Sequence, residues 1–301
     1  MAPTLVHSAS VAAVVPVFNE SGGSLERTLR GLLVQEHPVD QLMVVDDASP
    51  RPATIPVDLS SGVEIVRLPE NLGLSEARNR GALGTTSTYL LFVNCDVVLK
   101  PSWLDNGLAF MESNLNAGAV SGRIVPIAGP EVLRDWRLQF IETKSHRSVL
   151  TGPTPVTWLV GHTMLVRRTV FDEVGGFDPR FRSAGEDWDF SQRIRSSGYL
   201  TFHHPELVAE SHELASIENL ARKNVRNAGW DLRPRADERV CAAVRPVRPL
   251  PATVSLVRTL IQQVGRDLVK RRFRFLPVDL AITARSIVLV WRAPRMTRSL
   301  S

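Results

Sequence analysis

Apolar runs bounded by turn residues alternate with segments of helical period along the N-terminal part of the chain. Val11–Val17, Gln41–Asp46, Val63–Leu68, Tyr89–Asn94 and Ala119–Val125 are predicted as buried strands. Between them, Ser24–Gln35 places Leu25, Leu29, Leu32 and Leu33 on one helical face, and Ser75–Leu83 begins with Ser75 as its expected N-cap. Pro101–Asn114 opens with a proline in the first helical turn, where a missing N–H costs nothing. This alternation predicts a mostly parallel, doubly wound α/β sheet, whose ligands bind in the crevice beyond the carboxyl ends of the strands.

Residues 126–156 carry turn residues and little periodicity, and read as a connection over the sheet. A further apolar strand is expected within residues 157–168. Gly175-Gly176 follows it, and Ala184-Gly185-Glu186-Asp187 then opens a helix through Ser197. No internal repeat is present. Residues 233–250, with prolines among basic residues, read as a linker ahead of two basic amphipathic helices.

A chain of 301 residues that is 44% hydrophobic can bury one sizeable domain and carry an appendage. The net charge of +5 is unevenly spread: residues 233–301 carry +11 and residues 1–232 carry −6. Cys95 and Cys241 supply neither a disulfide framework nor metal-knuckle spacing, which suits a reducing, cytoplasmic setting. No Lys or Arg precedes Arg27, so Val11–Val17 lacks a signal peptide's charged flank and is expected to be a first core strand. A membrane-spanning helix needs roughly 18 uninterrupted apolar residues. Leu280–Trp291 comes nearest and is broken by Arg285, so no span is expected.

Polar residues gather where a ligand of such a sheet would sit. Asn19-Glu20 follows the first strand, Asp46-Asp47-Ala48-Ser49 the second and Asn94-Cys95-Asp96 the fourth. Neither G-x-G-x-x-G nor G-x-x-x-x-G-K-[ST] occurs. A site that meets a diphosphate with carboxylates requires a divalent cation, since the two would otherwise repel. Because strand side chains alternate, Asn94 and Asp96 are expected to share one face and Cys95 to turn to the other as a small core residue.

Six ordered stretches carry a specific resemblance: "VVPVFNES" (Val14–Ser21), "MVVDDAS" (Met43–Ser49), "ENLGLSEARNRGA" (Glu70–Ala82), "FVNCDVVLKPSWL" (Phe92–Leu104), "VGGFDPRF" (Val174–Phe181) and "GEDWDFSQRIRSSGY" (Gly185–Tyr199). In order and spacing, residues 10–230 resemble the family 2 glycosyltransferases with the GT-A fold, non-processive and rhamnosyltransferase-like members included. The resemblance implies a GT-A domain over 1–232, with a nucleotide half at about 10–125 and an acceptor half at about 157–230.

By that resemblance, Asp96 binds Mg²⁺ or Mn²⁺, and His212 completes the metal shell, with His203 and His204 as nearby competitors. Asn94 stands where the family often has the first acid of D-x-D. Pro16, Asn19 and Glu20 wrap the nucleoside. Asp46 and Asp47 hold base and ribose, though an Asp in such a loop also closes turns through its own backbone. Arg78, after Asn71-Leu72-Gly73, reaches the nucleotide-sugar, although a lone Arg is more commonly on a solvated face. Asp187 is the general base, in a first helical turn whose dipole favours the ionised form, and Glu186 positions the acceptor. His162 falls where the family carries a small residue, and Trp158 and Trp188 are sugar-stacking or core residues.

The implied activity is metal-dependent, inverting transfer of a single sugar, in glycan, cell-wall or glycolipid synthesis, from a nucleotide-diphospho-sugar to a glycan, glycolipid or peptide acceptor. A Q-x-x-R-W motif, which processive members carry, is absent. Two other functions fit the fold: a sugar nucleotidyltransferase, for which the Glu20-Ser21-Gly22-Gly23 loop lacks a base, and a non-catalytic sugar-binding protein. In the tail, Arg258, Arg266, Lys270, Arg271, Arg272 and Arg274 interleave with apolar residues. Such a pattern suits an anionic membrane surface, with packing on the acidic domain or on a second subunit as the alternatives; nucleic-acid binding ranks below these.

Overall fold

The computed structural model describes residues 9–20, 23–144, 150–231 and 249–296. Its strands are β1 (Val11–Val17), β2 (Gln41–Asp46), β3 (Glu64–Arg67), β4 (Tyr89–Val93), β5 (Val97–Leu99), β6 (Ala117–Pro126), β7 (Thr154–Val156), β8 (Thr163–Arg167) and β9 (Leu200–Ser211). The helices are α1 (Ser24–Leu33), α2 (Leu74–Leu83), α3 (Trp103–Ser113), α4 (Glu131–Lys144), α5 (Arg168–Val174), α6 (Glu186–Ser196) and α7 (Ile217–Asp231), then α8 (Pro249–Val269) and α9 (Leu276–Met296). The sheet runs β3-β2-β1-β4-β8-β6-β9-β5, with β7 added on β9.

Pairings are parallel from β3 through β4 and antiparallel at β4–β8, β6–β8, β5–β9 and β7–β9. Strands β1, β2 and β4 are buried on both faces, whereas β3, expected as a buried strand over Val63–Leu68, is an edge strand with all four residues exposed. Along β1, Val11, Ala13, Val15 and Val17 enter one core while Ala12 and Val14 enter the other, and in β4 Leu91 and Val93 oppose Leu90 and Phe92. That double burial makes these strands continuous apolar runs in the sequence. Their carboxyl ends align, with Val17 opposite Asp46 and Asp46 opposite Arg67. The polar residues after them therefore meet at one edge.

Four local expectations change. The stretch predicted as a connection contains α4, whose Leu133 and Trp136 enter a core with Phe140 packed against it; Gly129 and Pro130 hide the start of this short amphipathic pattern. Strand β9 is unforeseen because it contains Pro205, which falls between the residues paired with β7 and those paired with β5. Only residues 163–167 of the expected strand at 157–168 are extended. Ser75 does not cap α2; Gly73 precedes that helix, and the Ser75 hydroxyl donates to the Phe181 carbonyl at 2.5 Å.

The chain divides into two compact units, one from Met1–Val125 and Val149–His212, the other from Pro126–Ser148 and Glu213–Ser301. In the second, α4, α7 and α9 surround a core of Trp136, Leu220, Phe275 and Ile282, and α8 packs on α7 and α9. The expected linker at 233–250 lies, but for its last two positions, outside the described residues, as does Cys241.

Candidate active site

The loops after β1 and β2 are held by their own acids. Asp46 is buried and accepts from the Ser49 amide at 2.9 Å, the Ala53 amide at 3.0 Å and the Arg67 guanidinium. Burial alone pushes its carboxyl up, but these donors outweigh burial and hold it below the usual carboxylate range. Asp47 accepts from the Leu72 amide at 2.6 Å and the Gly73 amide at 2.8 Å. The Ser49 hydroxyl accepts from the Asn19 amide at 2.9 Å. Asn19 and Ala48 both have positive φ, an uncommon conformation for non-glycine residues that marks two tightly bent loops.

Two residues expected on the nucleoside are committed elsewhere. Glu20 accepts from the Ser24 and Leu25 amides, capping α1. Pro16 is buried inside β1 opposite Val45, one residue short of the loop.

The motif from Asn71 to Asn79 clasps residues 177–182. Asn71 donates to the Asp47 carbonyl and receives Arg182 on its side-chain oxygen at 3.1 Å. The Leu74 amide donates to the Arg182 carbonyl, and Asn79 bonds both the amide and the carbonyl of Phe177. At Gly73 φ is 94°, and a Cβ would stand 2.7 Å from Arg182 Cα, so this crossing requires glycine. Gly73 and Asn71 thus shape the site through the backbone.

Arg78, expected to reach the ligand directly, is fully buried at the centre of this constellation. Its guanidinium donates to Asn94 Oδ1 at 3.0 Å, the Gly161 carbonyl at 2.5 Å and Glu186 Oε1 at 3.2 Å, and lies 5.1 Å from the Phe177 ring centroid. Its Nε is a buried donor without a partner among the described residues. Glu186 is buried against it, which places this carboxylate on Arg78 and not on the open side of the site.

Asp187 adjoins that pair. Its carboxylate accepts from the Gly161 amide at 3.0 Å and from its own neighbour's amide, Trp188, at 2.8 Å. Burial, and then the adjacent Glu186 charge, push its carboxyl up to about 6, against the pull of the Gly161 amide and Arg78. The position in the first turn of α6, which favours the ionised form, is thus set against burial and like charge. Ser191, one turn on, donates to the Asp187 carbonyl at 2.6 Å and accepts from the Leu159 amide at 2.9 Å. A Cβ on Gly161 would meet Asp187 Cβ at 3.1 Å and Glu186 Oε1 at 3.3 Å, so the loop before β8 approaches the acids closely.

Gly161 and Ser191 escaped the sequence reading. The only signal was a glycine beside His162 and a serine four residues after Asp187.

Asp96 and His212 come together at the far end of this network. The strand ends at Val93, and Asn94 to Val97 form a turn closed by a 3.1 Å bond from the Val97 amide to the Asn94 carbonyl. Strand alternation therefore does not orient Asn94 and Asp96, although Cys95 does pack against the core. The His212 amide donates to the Asp96 carbonyl at 2.8 Å, next to the Val97–Ser211 pairing. Burial, and then the Arg27 charge, lower the His212 imidazole, while Glu210 and Asp96 raise it. His203 and His204, the competing histidines, are buried in β9, the latter edge-on to Phe110. Trp158 and Trp188 are half-buried and stand outside the core clusters. His162 precedes β8 and bonds the Asn94 amide through its carbonyl.

Among the described residues no group of three or more His, Cys, Asp or Glu is placed to hold a metal. A carboxylate and an imidazole, just before β5 and just after β9, instead offer two ligands. That set fits Mg²⁺ or Mn²⁺, which commonly take a carboxylate or two from the protein and the rest from substrate phosphates and water.

The family model described as Glycosyl transferase family 2 matches residues 12–175. "Pre-mycofactocin glycosyltransferase" of Mycobacterium tuberculosis (strain ATCC 25618 / H37Rv) is 28% identical over 225 residues, which cover 71% of this chain and 45% of that protein. "N-acetylglucosaminyl-diphospho-decaprenol L-rhamnosyltransferase" of the same organism is 28% identical over 237 residues, covering 68% and 77%. The chain thus spans under half the length of the first of these relatives. Among solved structures, "Mannosyltransferase PcManGT from Pyrobaculum calidifontis in complex with GDP-Man and Mn2+" superposes with a TM-score of 0.58 at 17% identity, over 96% of this chain and 89% of that one. At that identity the likeness shows the fold, which is GT-A.

Proposed function

The chain belongs to glycosyl transferase family 2, and from that we propose that it moves a single sugar from a nucleotide-diphospho-sugar to an acceptor hydroxyl, with inversion. The observation that carries this reading is Asp187. It is a carboxylate tethered by Gly161 and raised to about 6, joined through Gly161, Arg78 and Asn94 to the turn that holds Asp96 and His212. A group poised near neutrality, bonded into the diphosphate edge of the sheet, is what general-base attack requires.

In this mechanism Asp187 accepts the acceptor's proton as the oxygen attacks the anomeric carbon. The C–O bond to the nucleoside diphosphate breaks on the opposite face, in one displacement with no enzyme-bound sugar. Arg78 holds Glu186 and Asn94 in register, so that base and diphosphate edge keep a fixed separation. Asp46 and Asp47 brace the loops around the nucleoside. Asp96 and His212 would hold Mg²⁺ or Mn²⁺, which offsets charge on the departing diphosphate. The neighbour solved with GDP-Man and Mn²⁺ supports this choice of donor class and ion. The diphospho-decaprenol in the rhamnosyltransferase's name supports a lipid-linked acceptor.

The test is transfer and donor hydrolysis with UDP-, GDP- and dTDP-sugars in the presence of Mn²⁺, comparing the unaltered chain with Asp187→Asn and Asp96→Ala. Loss of turnover in both, with donor binding kept in Asp187→Asn, is expected. Unchanged rates in either variant would remove the assigned role, and binding without any turnover would make the chain a sugar-binding protein.

A further inference from the structure

The basic tail divides its helices into a satisfied side and an unsatisfied one. Antiparallel α8 and α9 pack on each other and on α7: Leu256 meets Val290, the Trp291 indole donates to Thr253 at 3.1 Å, and Arg285 pairs with Glu218. That packing consumes one side of each helix. Left exposed on α8 are Val254, Val257, Ile261 and Leu268, all on one stripe of helical spacing, with Ile261 66% accessible. On α9, Leu280, Val288 and Trp291 are likewise exposed. At the connection between the helices, Phe273 is 58% accessible beside the exposed Lys270 and Arg271.

We propose that this outer face of α8 and α9 is a docking surface for an anionic lipid bilayer, on which the hairpin lies with Phe273, Ile261 and Leu268 inserted and Lys270, Arg271 and Arg258 over the headgroups. Among the described residues no helix is long and apolar enough to cross a membrane, which fits a hairpin lying in the interface. Charge selects the occupant. Residues 249–296 contain only two acids, Asp267 and Asp279; Asp279 is buried, and Asp267 is hydrogen-bonded to it.

A second copy is the rival. Val254, Ile261 and Leu268 recur every seven residues, the spacing of a helix pair. Self-complementary pairing, however, would set Arg258, Lys270 and Arg271 against their own copies with no exposed carboxylate to meet them. Anionic lipid offers both the apolar phase and the counter-charge.

The experiment is flotation of the whole chain with vesicles of phosphatidylcholine alone and of phosphatidylcholine with about a third phosphatidylglycerol. Binding to the anionic vesicles only, weakening with salt, is expected. Lys270→Gln with Arg271→Gln should lower the partition coefficient about tenfold or more, and Ile261→Glu with Leu268→Glu should abolish binding. Phe273→Ser, in the connection and outside the helix packing, provides a second apolar variant should the double one unfold by circular dichroism. Absence of binding to the anionic vesicles overturns the proposal. So does binding that ignores the basic substitutions, or a dimer in sedimentation that Ile261→Glu dissociates while vesicles capture nothing.

Discussion

Two pairs of adjacent acids stand at the candidate site, and the protein treats them in opposite ways. Asp46 and Asp47, at the end of β2, are surrounded by amides and a guanidinium, and Asp46 sits below the ordinary carboxylate range despite its burial. Glu186 and Asp187, at the start of α6, share one buried arginine and few amides, and Asp187 rises to about 6. Burial acts in the same direction on Asp46 and Asp187. What differs is the number of donors delivered to each carboxylate and the like charge beside Asp187. An acid saturated by the fold braces it, while an acid short of donors keeps the capacity to take a proton.

The largest effect should come from removing that capacity. Asp187→Asn is expected to lower transfer by about 10²–10⁴ while donor affinity by calorimetry stays the same; retained turnover would place the base elsewhere. Next, Arg78→Met leaves Glu186 buried without its partner, costing about 3–5 kcal/mol in urea denaturation. Because Arg78 also pulls Asp187 down, the surviving rate of this variant should rise with pH at a higher midpoint than that of the parent.

In the parent, transfer should increase with pH through about 6 as Asp187 ionises. Stability should move the other way. The folded state holds this proton more tightly than the unfolded chain, so the contribution is largest in acid and is lost as pH rises from the ordinary carboxylate value of 3.8 through about 6. Thermal melts across that window should show a loss on the order of 2 kcal/mol, absent in Asp187→Asn. The buried Asp279, raised to about 6 by burial, gives a similar slope in the helical unit, against the hydrogen bond from Trp136; Asp279→Asn separates the two.

Asp46→Asn should cost about 2 kcal/mol at neutral pH. Because the folded value of Asp46 is depressed, that difference is present above the unfolded value and vanishes as pH falls through the folded one. A constant difference down to the acid limit would show that its hydrogen bonds are not what holds it. The smallest effect should be that of Gly161→Ala. The added methyl presses on Asp187 at about van der Waals contact or closer, so a rate loss of roughly tenfold is expected with an unchanged denaturation midpoint.

Strand ends were legible in the residue pattern because β1 and β4 are buried on both faces, and their continuous apolar runs, Val11–Val17 and Tyr89–Val93, stop where the polar loops begin. Ordered motifs placed Asp46, Asp96, Arg78 and Asp187 at those loops. Side-chain orientation was less accessible. Asn94 and Asp96 looked like neighbours on one strand face but lie in a turn, and Glu20 caps a helix where it had looked ready for a nucleoside. Helix α4 and strand β9 were hidden because proline and glycine interrupt their local patterns, while their stability comes from packing partners distant in sequence.

The sequence by itself determined the alternation of strands and helices from β1 to β4, the family, and which carboxylates are candidates for the sheet's ligand edge, since all three follow from local pattern and motif. Only the tertiary structure decided how each acid is held. Hydrogen-bond supply and burial are set by residues far apart in the chain: Arg67 and Ala53 for Asp46, Gly161 and Arg78 for Asp187. The tertiary structure likewise decided which side of the basic helices stays exposed, because that depends on the packing of α7 against α8 and α9.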